Sequence, residues 1–188
     1  DTVPGDIVNI EVYKKKRNYF EASPLSYIKK SKDRQTPKCE HFGVCGGCKL
    51  QHIKYEAQLI YKEKKVLDDL KNIGKIDINE FIPIAGAEPF YDYRNKMEFS
   101  FTNKKWITEE EIKSEKKINR DGVGLHIPNM WDKVIDIQKC YLQGGLSNSI
   151  RNGIKAFAVE NKISFFDPKE QNGFLRTLMI RNNQKGDT

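Results

Sequence analysis

The 188-residue chain contains no uncharged apolar run long enough to cross a bilayer and opens on no apolar leader, and its mean hydropathy is −0.69. These absences exclude a membrane-spanning helix and point to a soluble, cytoplasmic protein that does not act at a membrane. There is no internal repeat, no low-complexity segment, no G-x-G-x-x-G run opening a helix and no P-loop. No nucleotide-binding fingerprint can therefore be read. Cysteine is scarce, with four residues, and histidine scarcer still, with three. In a reducing compartment thiols stay free, and a thiolate binds soft metals well, so four cysteines read as ligands before disulfides.

What the chain has in excess is positive charge, and it is local. The formal net charge is +7, from 33 Lys and Arg against 26 Asp and Glu. Between Lys14 and Lys38 stand Lys14, Lys15, Lys16, Arg17, Lys29, Lys30, Lys32, Arg34 and Lys38, opposed only by Glu21 and Asp33. Such a patch concentrates a polyanion and releases counterions when one binds, which makes nucleic acid the first candidate partner. A solvated basic face is the plainer alternative.

Periodicity predicts an α+β fold. Ile7, Ile10 and Val12 follow a Pro4-Gly5 turn signal, and Tyr19 to Ile28 offers a second extended run; together they predict a hairpin. Two strands alone are marginal in water, so the hairpin is expected to belong to a larger barrel. Its aromatics Tyr13, Tyr19, Phe20 and Tyr27 are expected in a core. Tyr55 to Ile73 has helical spacing, with Leu59, Val66, Leu70 and Ile73 as a core stripe and Gly74 as C-cap. In Met97 to Thr102 apolar and polar residues alternate, so Met97, Phe99 and Phe101 should face a core and Glu98, Ser100 and Thr102 the outside. Further strands are expected at 122–127, 133–137 and 174–181. A short helix capped by Thr108 and Glu111 is expected within the charged stretch 108–120, and a longer one over 145–161 with Leu146, Ile150, Ile154, Phe157 and Ala158 in phase. The sum is a mixed antiparallel sheet with flanking helices.

Chemistry concentrates in Cys39-Glu40-His41-Phe42-Gly43-Val44-Cys45-Gly46-Gly47-Cys48, with Cys140 far downstream. Three readings compete. Structural zinc usually uses two C-x2-C knuckles, and here one is missing. A close trio with one distant thiolate better suits an iron–sulfur cubane, which needs one thiolate per iron. Gly43, Gly46 and Gly47 would let the backbone wrap such a group and aim N–H groups at its sulfurs. Unliganded thiols are the third reading. His41 and His52 flank the trio and are read as packing residues, as is His126.

Residues 34–52 closely resemble the iron–sulfur segment of the RNA uracil-5-methyltransferases, especially the type that modifies 23S ribosomal RNA. Tyr93-Arg94-Asn95-Lys96-Met97-Glu98-Phe99-Ser100 resembles that family's Tyr-Arg-x-Lys/Arg strand. Val134 to Cys140 resembles its fourth-ligand segment, and 175–181 the strand that closes its central domain. The resemblance implies a 4Fe-4S cluster on Cys39, Cys45, Cys48 and Cys140. It implies a remnant of an OB-like TRAM β-barrel over 1–31, a cluster segment with its helix over 32–75 and a central RNA-binding domain over 76–188.

The same resemblance implies that S-adenosylmethionine, the nucleophilic cysteine and the base belong to a catalytic domain absent from this chain, which is then expected to be inactive alone. The substrate it implies is 23S rRNA, gripped by a monomer. Arg94 and Lys96, expected on one strand face with Glu98, and Lys14, Lys15, Lys16 and Arg17 are the expected RNA contacts. The alternative is a zinc-stabilised RNA-binding module without enzymatic activity.

Overall fold

The computed structural model describes residues 2–114 and 118–183, so 115–117 of the charged stretch lie outside the described residues. The chain divides into two compact units, Asp1–Lys38 with Leu50–Gly86, and Cys39–Lys49 with Ala87–Thr188. Among the described residues no helix is long and apolar enough to cross a membrane.

The first unit holds β1 (Ile7–Lys15), β2 (Phe20–Lys29) and α1 (Tyr55–Asn72). β1 and β2 pair antiparallel from Ile7↔Lys29 to Lys15↔Phe20, with three register shifts. The expected aromatic core does not form: Tyr13, Tyr19, Phe20 and Tyr27 are exposed, as are Ile7, Ile10, Val12, Leu25 and Ile28. A two-stranded ribbon has no second layer to bury either face against. The hairpin's base is instead anchored by one carboxylate. Asp6 accepts from Val3 N (2.6 Å), Ser31 N (2.8 Å) and Arg34 Nε (2.8 Å) and pairs with Arg34 Nη2 (2.5 Å). The Arg34 guanidinium in turn lies 4.9 Å from the Tyr27 ring centre. The unit's core is small, Val3, Ile53 and Ala57 with Tyr61 against them.

The helix is where expected, but its stripe is not a core. Val66, Leu70 and Ile73 are exposed, Ile73 at 78%, and Ala57 is its only buried residue. Nor is Gly74 the cap. Ile73 ends the helix, the left-handed residue is Lys75 (φ 55°), and Ile76 N returns to Leu70 O at 3.1 Å.

The second unit is a four-stranded antiparallel sheet in the order β5-β4-β3-β6, formed by β3 (Lys96–Thr102), β4 (Gly122–Ile127), β5 (Met130–Asp136) and β6 (Thr177–Arg181). Alternation in β3 buries Met97, Phe99 and Phe101, each 3% exposed or less, as the period of two requires. They meet Val123, Ile135, Ile137, Leu142, Ala158, Phe165 and Ile180 in one core. Thr102, expected outside, is buried because the 166–172 turn closes over that end. Asn103 N donates to Phe166 O (3.1 Å), and Lys104 Nζ pairs with Asp167 (2.8 Å).

α2 (Glu109–Lys113) carries the expected capping box. Thr108 Oγ1 accepts from Glu111 N (3.2 Å), and the Glu111 carboxylate accepts from Thr108 N (3.1 Å). α3 (Ser147–Glu160) sets Ala158, Ile150 and Ile154 against the core, but Leu146 and Phe157 point to solvent, each 59% exposed.

Candidate metal centre

The cysteine segment is docked by its backbone. Phe42 N donates to Cys39 O (3.1 Å) and Cys45 N to His41 O (2.9 Å), which curls residues 39–45 into a turn. Gly43 sits at φ 93°, the left-handed region that L side chains avoid. Gly46 N then donates to His126 O at the end of β4 (3.0 Å). A Cβ on Gly46 would stand 2.5 Å from that oxygen, and one on Gly47 would stand 2.6 Å from Leu125 Cδ1. Glycine is required at 46, where the obstacle is backbone, whereas at 47 a side chain would have to displace the end of Leu125. Gly47 N also donates to Cys45 Sγ at 3.4 Å.

One further bond ties the loop to the fourth cysteine's segment. His41 Nε2 accepts from Gln138 N (3.1 Å), which engages that nitrogen with the backbone. On the other side, Asn148 of α3 brackets Cys140, its Oδ1 accepting Cys140 N (2.8 Å) and its Nδ2 donating to Cys140 O (3.0 Å). Cys140 belongs to the sheet core, and Cys45 and Cys48 pack against it. His126 offers its Nε2 to Ser100 Oγ (3.1 Å), and His52 lies in the other unit.

The thiols lie within one another's electrostatic reach. Burial pushes the Cys39 thiol up, and the charges of Cys140 and Cys48 add to it. Burial pushes Cys45 up to about 11, opposed by the Gly47 N–H, with Cys140, Cys48 and Cys39 adding further. Cys140 is also raised by burial, but the Leu142 backbone bond and the positive charges of Arg151 and Arg94 pull the other way. A group of buried and half-buried soft sulfur donors suits a soft metal. Among the described residues, no three His, Cys, Asp or Glu form a set that would hold a single metal ion. The donor chemistry, four thiols gathered about one loop, is that of a ligand set for a soft metal or an iron–sulfur cluster.

The expected RNA contacts fall at two places. Lys14, Lys15, Lys16 and Arg17 form the exposed tip of the hairpin, closed by Lys16 N to Tyr19 O (2.9 Å). There Lys14 pairs loosely with Glu21 (3.5 Å), and Lys15 Nζ sits 5.9 Å from the Phe20 ring centre. Lys96 pairs with Glu98 at 3.0 Å on the exposed face of β3. Arg94 does not share that face. It precedes the strand, its N donates to Leu142 O (2.8 Å), and its guanidinium reaches Met97 Sδ (3.6 Å), a core-facing atom. The alternation that fixes Lys96 begins only where β3 begins.

The residues that sequence reasoning passed over are Asn148 and Arg151. Their spacing of three on a helix is the signal that places them on one face.

No family model matches the chain. It is 44% identical over 186 residues, 98% of its length, to an uncharacterized RNA methyltransferase of Bacteroides thetaiotaomicron. It is 31% identical over 180 residues to the tRNA (uracil(54)-C(5))-methyltransferase of Pyrococcus abyssi. The crystal structure of a Pyrococcus abyssi tRNA (uracil-54, C5)-methyltransferase in complex with S-adenosyl-L-homocysteine matches 99% of this chain with a TM-score of 0.62 at 28% identity. The chain spans about two fifths of the length of these relatives, 41% of the Bacteroides protein and 38% of the Pyrococcus one.

Proposed function

We propose that this chain is the RNA-holding, cluster-bearing portion of an S-adenosylmethionine-dependent methyltransferase that modifies C5 of a uridine, with 23S rRNA as substrate. The observation that carries the reading is likeness along the whole chain to RNA methyltransferases, one of them uracil-C5-specific, in sequence and in fold. A zinc-stabilised module without enzymatic activity is not favoured by relatives of this kind.

Cys39, Cys45, Cys48 and Cys140 each hold one iron of a 4Fe-4S cluster in this reading. When bound, the cluster supplies four bonds that staple the loop to the end of the sheet. The chain's own residues shape that place beforehand: Gly46 seats the loop on His126 O, His41 accepts from Gln138, and Asn148 frames Cys140. The methyl donor of this reading is S-adenosylmethionine, whose demethylated product, S-adenosyl-L-homocysteine, is bound in the Pyrococcus structure.

Residues 1–31 are read as part of a TRAM-type barrel, which a hairpin apolar on both faces supports. Its basic tip, Lys14 to Arg17, grips phosphates, and Lys96 and Arg94 are read as further RNA contacts. The protein acts as a cytoplasmic monomer. Transfer RNA is the second reading, favoured by the Pyrococcus relative, whose name specifies uracil 54 of tRNA.

Two measurements test this. Iron and acid-labile sulfide determination on the anaerobically purified chain should give about four of each per protein; iron-free protein with reduced cysteines would refute the cluster. Mass spectrometry of 23S rRNA and tRNA incubated with a protein of the relatives' full length and S-adenosylmethionine should find 5-methyluridine in 23S rRNA. Methylation confined to tRNA would transfer the substrate to the second reading.

A further inference from the structure

Arg151 is fully buried, at 0% exposure, yet no carboxylate pairs with it among the described residues. Its Nε donates to Ile137 O (3.2 Å). Its Nη2 donates to Gln138 O (3.0 Å) and to Asn148 Oδ1 (2.9 Å), with Asn152 Oδ1 at the outer limit of 3.5 Å. The guanidinium carbon lies 4.8 Å from the Phe99 ring centre. Nη1 is buried with no hydrogen-bond partner among the described residues. The carboxylate whose charge acts on it, Asp136, is already engaged by Lys155 and by Val123 N.

A buried cation held only by neutral acceptors is expensive, because carbonyls and an aromatic face return only part of the lost hydration. A spare buried donor adds to the cost. Such a residue is suited to an anion, and Nη1, buried and without a hydrogen-bond partner among the described residues, is the donor left to meet one. The acceptors that Arg151 holds are also those of Cys140's own segment. Ile137 O and Gln138 O precede Cys140, and Asn148 Oδ1 is the atom that receives Cys140 N.

We propose that Arg151 is a positioning residue for the metal centre: with Asn148 it clips the 137–140 backbone in place, and its buried charge balances the negative charge of the thiolates and of the group they hold. This rests on the cluster reading for the identity of the anion, while the clip itself belongs to the protein with or without iron. The two roles separate by chemistry. Lysine keeps the charge and loses the planar fork, glutamine keeps hydrogen bonding and loses the charge, and Asn148→Ala loses the bracket and keeps the charge.

The test uses the whole chain, reconstituted with iron and sulfide under anaerobic conditions, as wild type, Arg151→Lys, Arg151→Gln and Asn148→Ala. The rate at which a chelator bleaches the cluster should rise several-fold in Arg151→Gln and return most of the way to the wild-type value in Arg151→Lys. Equal rates in Arg151→Gln and wild type, or no difference between the Lys and Gln variants, would overturn the charge-balancing role.

In iron-free protein, the Cys140 amide should exchange with solvent slowly in wild type and faster in Asn148→Ala. Unchanged exchange would overturn the clip. If Arg151→Gln does not fold, as judged by circular dichroism of the iron-free protein, Arg151→Met, which also removes the charge, takes its place in the comparison with Arg151→Lys, and Asn148→Ala still tests the clip. Failure of wild type to take up iron would refute the cluster reading and with it the charge-balancing role, while the exchange measurement would still decide the clip.

Discussion

Replacing Gly46 by alanine probes the seat of the cysteine loop with one methyl group. The added carbon would stand 2.5 Å from His126 O, a backbone atom at the end of a paired strand that cannot swing aside. The loop must retreat, and Gly46 N then loses its 3.0 Å bond to that same oxygen. Losing one bond between sheltered backbone groups and leaving both ends poorly satisfied costs about 1–3 kcal/mol. Gly153→Ala is the control, because it sits inside α3 with nothing within 4 Å of the new carbon. There the same methyl removes only the conformational freedom of the unfolded chain and should stabilise by about 0.5–1 kcal/mol. Chemical denaturation of the iron-free variants, followed by circular dichroism, should therefore show shifts of opposite sign, and amide exchange at residue 46 should accelerate in the first variant alone. A Gly46→Ala protein with wild-type stability and a protected amide at that position would mean that the loop is not seated on His126.

Phe99→Ala should destabilise the sheet unit by about 3–5 kcal/mol in the same denaturation assay, since the ring is fully buried in the core and also carries the Arg151 guanidinium; a cost below about 1 kcal/mol would refute the core assignment. The carboxyls of Asp6, beside the Arg34 guanidinium, and Asp167, beside the Lys104 ammonium, are held well below the usual carboxylate range. Their stabilisation is present above the unfolded value near pH 4 and drains away as pH falls towards the folded values. Acid titration of Asp6→Asn should thus show a flatter loss of stability than wild type below about pH 4, and identical acid limbs would deny Asp6 this role. Changing Lys14, Lys15, Lys16 and Arg17 to alanine should lower the slope of log affinity for RNA against log salt by about 1 for each phosphate that no longer meets a cation, and an unchanged slope would remove the hairpin tip from the interface.

The parts of this structure legible in the sequence are those set by neighbours along the chain. The strict alternation of Met97 to Phe101 and the Thr108-Glu111 capping box need only local geometry, and both form as read. Periodicity also placed the two long helices to within a residue or two at each end. It could not say which apolar stripe would find a partner. Val66 and Ile73 have the spacing of core residues, but the small core of Val3, Ile53 and Ala57 does not extend to them.

Arg94 was misplaced for a related reason. A period of two was carried back past Lys96, where the chain instead runs beside Tyr141 to Gln143 through Asp92 N to Tyr141 O and Arg94 N to Leu142 O. At the cysteine site, spacing singled out the four thiols, but the atoms that seat them, His126 O, Gln138 N and the side chains of Asn148 and Arg151, are distant in sequence and carry no motif.

The cysteine loop belongs to a unit whose remaining strands are encoded only after Ala87. On the ribosome its three thiols therefore emerge well ahead of their seat. Synthesis at about 5–20 residues per second leaves Cys39, Cys45 and Cys48 waiting roughly 5 to 20 s for Cys140, with His126 made only late in that wait and Asn148 after it. For that interval they are exposed nucleophiles on an incomplete chain, open to oxidation and to whatever metal arrives first. On the cluster reading, timing of iron delivery, rather than affinity alone, becomes part of how this domain matures.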